Sequence, residues 1–178
     1  VATMQISFNV LALVFMLSLG IGTAAAVEVG QATGAGDMPA VRRSGWTALG
    51  LNVSIMTLLM PLLYFNAEAI AGLYTDDPGL LPLATTAVAI TALVLIVDGG
   101  QAVTTGALRG FGDVMFGTGA YLIAFGVCAL PLAWWLGVHQ KLGTPGLLYG
   151  IIAGLVLLLI MLIIRFHLIT RERPVISS

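Results

Sequence analysis

The sequence predicts an all-α integral membrane protein of five transmembrane helices, and three observations carry that expectation. Five runs, 1–27, 44–67, 78–108, 114–138 and 142–164, carry no charge except Asp98 in the third. Each reaches the roughly 20 residues a helix needs to cross about 30 Å of hydrocarbon. Only 8% of the 178 residues are charged and 59% are hydrophobic, against roughly 25% charged in a soluble domain. The runs are apolar on every face, whereas the strands of a membrane barrel alternate over about ten residues.

The first helix, about 4–30, carries Gln5 and Asn9 one turn apart, where such groups bond between helices or line a cavity. Glu28 near its end suits a coupling group, a cap or a solvated charge. In the second helix, about 42–66, Asn52 poses the same choice as Gln5, and the Met56 and Met60 stripe reads as packing. Trp46 and Tyr64 near its two ends suit interfacial belts, as do Trp134 and Trp135 in the fourth helix.

The third helix, about 80–107, holds the most informative residue. Asp98 stands alone among uncharged residues, and a carboxylate near the centre of a spanning helix costs roughly 2.5 to 3.5 kcal/mol on insertion scales. It lies eleven residues from Arg109, about 16 Å along a helix, close to the midplane where transporters place their sites. Asp98 is therefore the candidate cation or proton site, with Gln101 or Thr104 as its neighbours and Gly99-Gly100 expected to loosen the helix around it. The fourth helix, about 114–137, contains Cys128, a lone thiol in an apolar stretch that reads as packing. Pro61 and Pro131 are expected to kink or terminate their helices. The fifth helix, about 145–168, precedes a short tail, 169–178, and repeats Gly146, Gly150 and Gly154 at four-residue spacing, as the first repeats Gly30 and Gly34. Such faces let helix backbones approach closely.

Two links resemble each other: Gly34-Ala35-Gly36-Asp37 and Arg109-Gly110-Phe111-Gly112-Asp113. Neither has the Lys-Ser/Thr or the preceding strand of a phosphate-cradling loop. Both read as structural turns in which Gly34, Gly36, Gly110 and Gly112 supply positive φ and Asp37 and Asp113 cap the next helix. Because successive helices alternate in direction, Arg42, Arg43, Arg109, Arg165, Arg171 and Arg173 share one side and Lys141 stands on the other. That asymmetry assigns the first side, and the C-terminus, to the cytoplasm. An outside N-terminus on a chain that opens directly in an apolar run predicts at least one preceding helix. There is no basic patch with interleaved aromatics, so nucleic acid is not an expected partner. His139 and His167 fall on opposite sides without an acidic cluster, and neither an enzyme nor a cofactor or metal centre is expected beyond an ion at Asp98.

Gly20-Ile21-Gly22-Thr23-Ala24, Val29-Gly30-Gln31, the Gly34 turn and Arg42-Arg43 together resemble the second helix and loop of a half-repeat in the multidrug and toxic compound extrusion (MATE) family. Val97-Asp98-Gly99-Gly100-Gln101 followed by Gly106-Ala107-Leu108 and the Arg109 turn resembles that family's tenth helix, and Leu130-Pro131-Leu132 and Gly146-Leu147-Leu148-Tyr149-Gly150 extend the match. The resemblance covers nearly the whole chain. It implies helices eight to twelve of a twelve-helix transporter, most of the C-terminal six-helix lobe, with the N-terminal lobe and the seventh helix as partners within the membrane lipid. It also implies export of amphipathic, often cationic, small organic compounds across the bacterial inner membrane, driven by a sodium or proton gradient. Asp98 matches the acid of the tenth helix that helps form a cation site. Two features depart from that site: the acid of the seventh helix lies outside the chain, and the position four before Asp98, a tyrosine in some members, is Val94. Gln5, Asn9, Glu28 and Gln101 are candidates for cavity or coupling roles. The alternatives are a lipid-linked oligosaccharide flippase of the same superfamily, which would carry several cationic residues within its helices, and a structural membrane subunit.

The charge asymmetry makes a topological prediction. In intact cells a tag after Ser178 should resist external protease and a tag before Val1 should be cut; cleavage of the Ser178 tag from outside defeats the assignment.

Overall fold

The computed structural model describes residues 2–72, 81–139 and 144–171, and every regular element within them is helical. α1 (Ala2–Gly34) and α2 (Met38–Phe65) are followed by the short α3 (Ala67–Gly72) and by α4 (Leu81–Phe111). The next rod starts as α5 (Val114–Tyr121), widens to π-helix over Leu122–Ala129, tightens to α6 (Leu130–Trp134) and widens again over Trp135–His139. α7 (Thr144–Arg171) follows. Helices satisfy every backbone group internally, as hydrocarbon requires. Among the described residues Val14–Gly34, Met38–Phe65, Val114–Trp134 and Tyr149–Arg171 are long and apolar enough to cross a membrane. α4, with 31 residues, is about 46 Å long and has the length for a fifth crossing.

Local chemistry explains the turns, with two departures from expectation. Gly36 and Gly112 have φ of 72° and 92°, while Gly34 and Gly110 remain helical. Each turn closes the preceding helix by the same six-residue bond, from Asp37 N–H to the Ala32 carbonyl at 3.0 Å and from Asp113 N–H to the Leu108 carbonyl at 2.9 Å. One left-handed glycine is all that such a closure needs. Asp37 caps α2 by accepting from Ala40 N–H at 2.9 Å. Asp113 makes no capping bond, because its Oδ2 accepts from Arg165 Nε at 2.6 Å and a charge-assisted bond is roughly twice as strong as a neutral one. The same guanidinium lies 4.9 Å from the centre of the Phe116 ring.

Pro61 is accommodated inside α2, which runs on to Phe65. Pro131 instead follows the π-helical stretch; its missing N–H and the crowding of its ring against the carbonyl one turn earlier favour a wider register upstream. Gly99 and Gly100 do not loosen α4, which is continuous through both. They make room for neighbours instead: Ser18, Asn52 and Met56 crowd Gly99, and Leu159 and Leu49 crowd Gly100.

α1 packs most extensively against α4. A Cβ on Gly106 would strike the Gly22 carbonyl, and one on Gly110 the Ala26 carbonyl, so the two backbones touch. On α7, Gly150 and Gly154 admit Ala133 and Ala129; Gly146 lies outside what is described at side-chain level. Gly34 faces open space, while a Cβ on Gly30 would lie 3.5 Å from the Gly110 carbonyl. The buried core, including Val29, Val41, Leu108, Ala124, Leu158, Leu162 and Phe166, gathers where these helices meet near the Arg109 turn. Large apolar side chains point outward, among them Met115 and Phe65 at 85% and 81% exposure, which suits a lipid solvent rather than water. Trp46, Tyr64, Trp134 and Trp135 are also exposed.

The seam predicts a selective intolerance. Gly106→Val in the full-length protein should lower stability by about 1–3 kcal/mol through overpacking, read as the thermal midpoint in detergent. Gly34→Ala, at a helical position with nothing within 4 Å of the new Cβ, should not lower it.

Candidate functional site

Halfway along α4, the polar groups of three helices converge. Gly99 supplies the space: a Cβ there would lie 2.6 Å from Ser18 Oγ on α1 and 2.7 Å from Asn52 Nδ2 on α2. Ser18 and Asn52 are 1% and 0% exposed. Ser18 Oγ donates to Met56 Sδ at 3.9 Å, a weak acceptor. Among the described residues neither Asn52 Nδ2 nor Asn52 Oδ1 has a hydrogen-bond partner. Such groups cost roughly 1–3 kcal/mol each when buried and unmade, so Asn52 is held against a penalty.

Asp98 is the next residue on α4 and half-buried. Gln101 Nε2 donates to its Oδ1 at 2.7 Å, while Gln101 Oε1 is buried without a partner. Thr104 turns its hydroxyl back to the Gly100 carbonyl at 2.7 Å rather than to Asp98. The one ion pair among the described residues is Arg165 with Asp113, so no cationic side chain neutralises Asp98 there. An unneutralised carboxylate in a spanning helix favours taking up a proton or a small cation. The unpaired amide oxygen of Gln101 is a hard neutral acceptor of the kind that coordinates a small cation. Among the described residues no three His, Cys, Asp or Glu side chains cluster as a metal cage.

The sequence-predicted residues therefore separate. Asp98 and Gln101 are joined. Glu28 is exposed and stands ten residues beyond Ser18 on α1, about 15 Å from the Gly99 level. Gln5 and Asn9 lie outside the residues described at side-chain level. Asn52, left open by the sequence, is central, and Ser18 was not anticipated. Its signal was available: Ser18, Gly22, Ala26, Gly30 and Gly34 form one small-residue face at four-residue spacing. The turn residues Gly34, Gly36, Asp37, Gly110, Gly112 and Asp113 lie at the C-terminal ends of α1 and α4, away from this node.

The family model described as MatE matches residues 1–135. The chain belongs to the MatE family. The multidrug resistance protein NorM of Burkholderia vietnamiensis is 41% identical to this MatE chain over 174 residues, covering 95% of it and 38% of the relative. The probable multidrug resistance protein NorM of Burkholderia pseudomallei is 40% identical over 171 residues, covering 93% and 36%. The crystal structure of the eukaryotic MATE transporter AtDTX14 matches 97% of this chain and 38% of its own with a TM-score of 0.83 at 20% identity, a likeness of fold. The chain thus spans less than two fifths of these relatives. This MatE chain is an integral membrane protein, and the names of its relatives describe resistance and transport rather than covalent chemistry.

The unpaired state of Asn52 has a measurable consequence. Asn52→Ala should change the stability of the full-length protein by no more than about 1 kcal/mol, since it also removes two unsatisfied groups. Leu158→Ala, at another fully buried position, should cost about 2–5 kcal/mol. Thermal unfolding in one detergent compares them, and an Asn52→Ala loss as large as that of Leu158→Ala contradicts the description.

Proposed function

We propose that this chain forms most of the C-terminal six-helix lobe of a twelve-helix efflux transporter. In this reading the transporter exchanges sodium or protons for amphipathic, often cationic, drugs and toxic compounds across the bacterial inner membrane, and Asp98 is the coupling group. The observation that carries the reading is the half-buried carboxylate of Asp98 in mid-α4, bonded by the neutral Gln101 amide. Membership of the MatE family and the names of the NorM relatives supply the substrate class.

The mechanism follows from linkage and needs no bond making. A carboxylate without a cationic neighbour draws a proton or cation from the side of higher electrochemical potential. If the ion-bound and substrate-bound forms prefer opposite openings of the cavity, ion entry drives substrate out. The coupling is limited by the differential affinity of each ligand for the two openings. The orphan acceptor on Gln101, bonded to Asp98 through its amide nitrogen, lowers the cost of holding the ion, and the N-terminal lobe completes the cavity.

Asp98→Asn preserves size and hydrogen bonding while removing the charge. The full-length variant should reach parental abundance, because a buried charge is lost from a spanning helix. Its efflux of dye from energised inverted vesicles should lose dependence on both sodium and proton gradients, each collapsed in turn, whereas Glu28→Gln should do less. Gradient-dependent efflux at the parental rate in Asp98→Asn would show that coupling resides elsewhere.

A further inference from the structure

Where α4 gives way to α5, a cavity of about 60 Å³ opens between the two helices, lined by Thr105, Arg109, Asp113, Thr118 and Tyr121 among others. It exceeds the roughly 10–15 Å³ that one water requires, and its walls carry hydroxyls and charge. Thr105 is the unusual residue. Thr23, Thr33, Thr57, Thr104 and Thr170 each return their hydroxyl to the carbonyl four residues earlier. Thr105, 8% exposed, leaves its Oγ1 buried without a hydrogen-bond partner among the described residues on the wall of this cavity. One turn further along the same helical face stands Arg109, exposed and without a carboxylate partner among the described residues. Asp113, the acid on the wall, is already committed to Arg165, so the cavity keeps the uncompensated positive charge of Arg109.

The same guanidinium borders a second crevice, of about 200 Å³, on the α1 side of α4, whose walls include Leu19, Gly22, Ala26, Ala102 and Gly106. From Arg109 to Ala102 is seven residues, about 10 Å along the helix towards the bilayer interior. A cationic, hydroxyl-lined recess at a helix end beside an apolar groove has the chemistry of a phospholipid, with a phosphodiester outside and a hydrocarbon chain leading inward. Basic recesses between spanning helices take phosphate headgroups for the same reason, and a guanidinium matches phosphate oxygens in pairs.

We propose that Arg109, with the Thr105 hydroxyl, binds the phosphate of a membrane phospholipid in the α4–α5 cavity, with an acyl chain in the α1–α4 crevice. The groove decides for a lipid over free phosphate, which has nothing to place there.

The test uses the full-length protein, delipidated in detergent and titrated with phosphatidylglycerol while bound lipid is counted by native mass spectrometry. Arg109→Gln should weaken the tightest lipid about tenfold and Thr105→Val about fivefold, the losses expected for a charge-assisted and a neutral hydrogen bond. Thr105→Ser, which restores the hydroxyl, should return to parental retention and separates lost binding from lost folding. Millimolar glycerol 3-phosphate should not displace the lipid. The proposal is overturned if Arg109→Gln and Thr105→Val retain lipid like the parent, or if Thr105→Ser is as weak as Thr105→Val. Displacement by glycerol 3-phosphate would overturn the lipid assignment in favour of a free phosphate ester.

Discussion

Backbone contact between α1 and α4 sets the rest of the molecule. Gly22 against Gly106 and Ala26 against Gly110 bring the two helices closer than any side chain at Gly106 or Gly110 permits. In lipid such an approach is a principal source of helix association, since apolar side chains gain nothing by leaving an equally apolar solvent. It fixes the register of α1 on α4, and that register sets Ser18 beside Gly99. α2 then closes the third side with Asn52 and Met56. A shift of one residue along the seam would meet a Cβ where a glycine now stands.

The polar node costs stability in this packing. Asn52 has two orphan atoms and Gln101 one, in a layer where unmade hydrogen bonds cannot be repaired by bulk water. A protein built only to be stable would fill such a position with leucine. Of these groups Gln101 is the one bonded to the Asp98 carboxylate, and Asn52 stands against the neighbouring Gly99. The carboxylate accepts one neutral bond, from Gln101.

At the other end of α4, charge is arranged for rigidity on one side and availability on the other. Asp113 exchanges the ordinary capping role for a bond across to α7, and Phe116 beneath Arg165 holds that guanidinium from a second direction. Arg109, four residues earlier, is left facing two crevices. The left-handed Gly112 lets Asp113 reach α7 while the chain reverses.

The sequence by itself determined the solvent, the helical class, and Asp98 as the residue to explain. Each is read from composition or from one helix at a time: twenty apolar residues cross a bilayer whatever they touch, and a lone acid among them is costly wherever it points. It also marked both glycine turns, because positive φ is a local demand, though it overcounted the glycines that meet it. Tertiary structure alone decided which polar residues meet. That Asn52 and Ser18 face Gly99, that Glu28 stands a long way from Asp98, and that Asp113 bonds Arg165 instead of capping α5 depend on helix register and rotation. Spacing on one helix cannot fix those quantities, because the contact that sets them is made by glycines on two helices far apart in the chain.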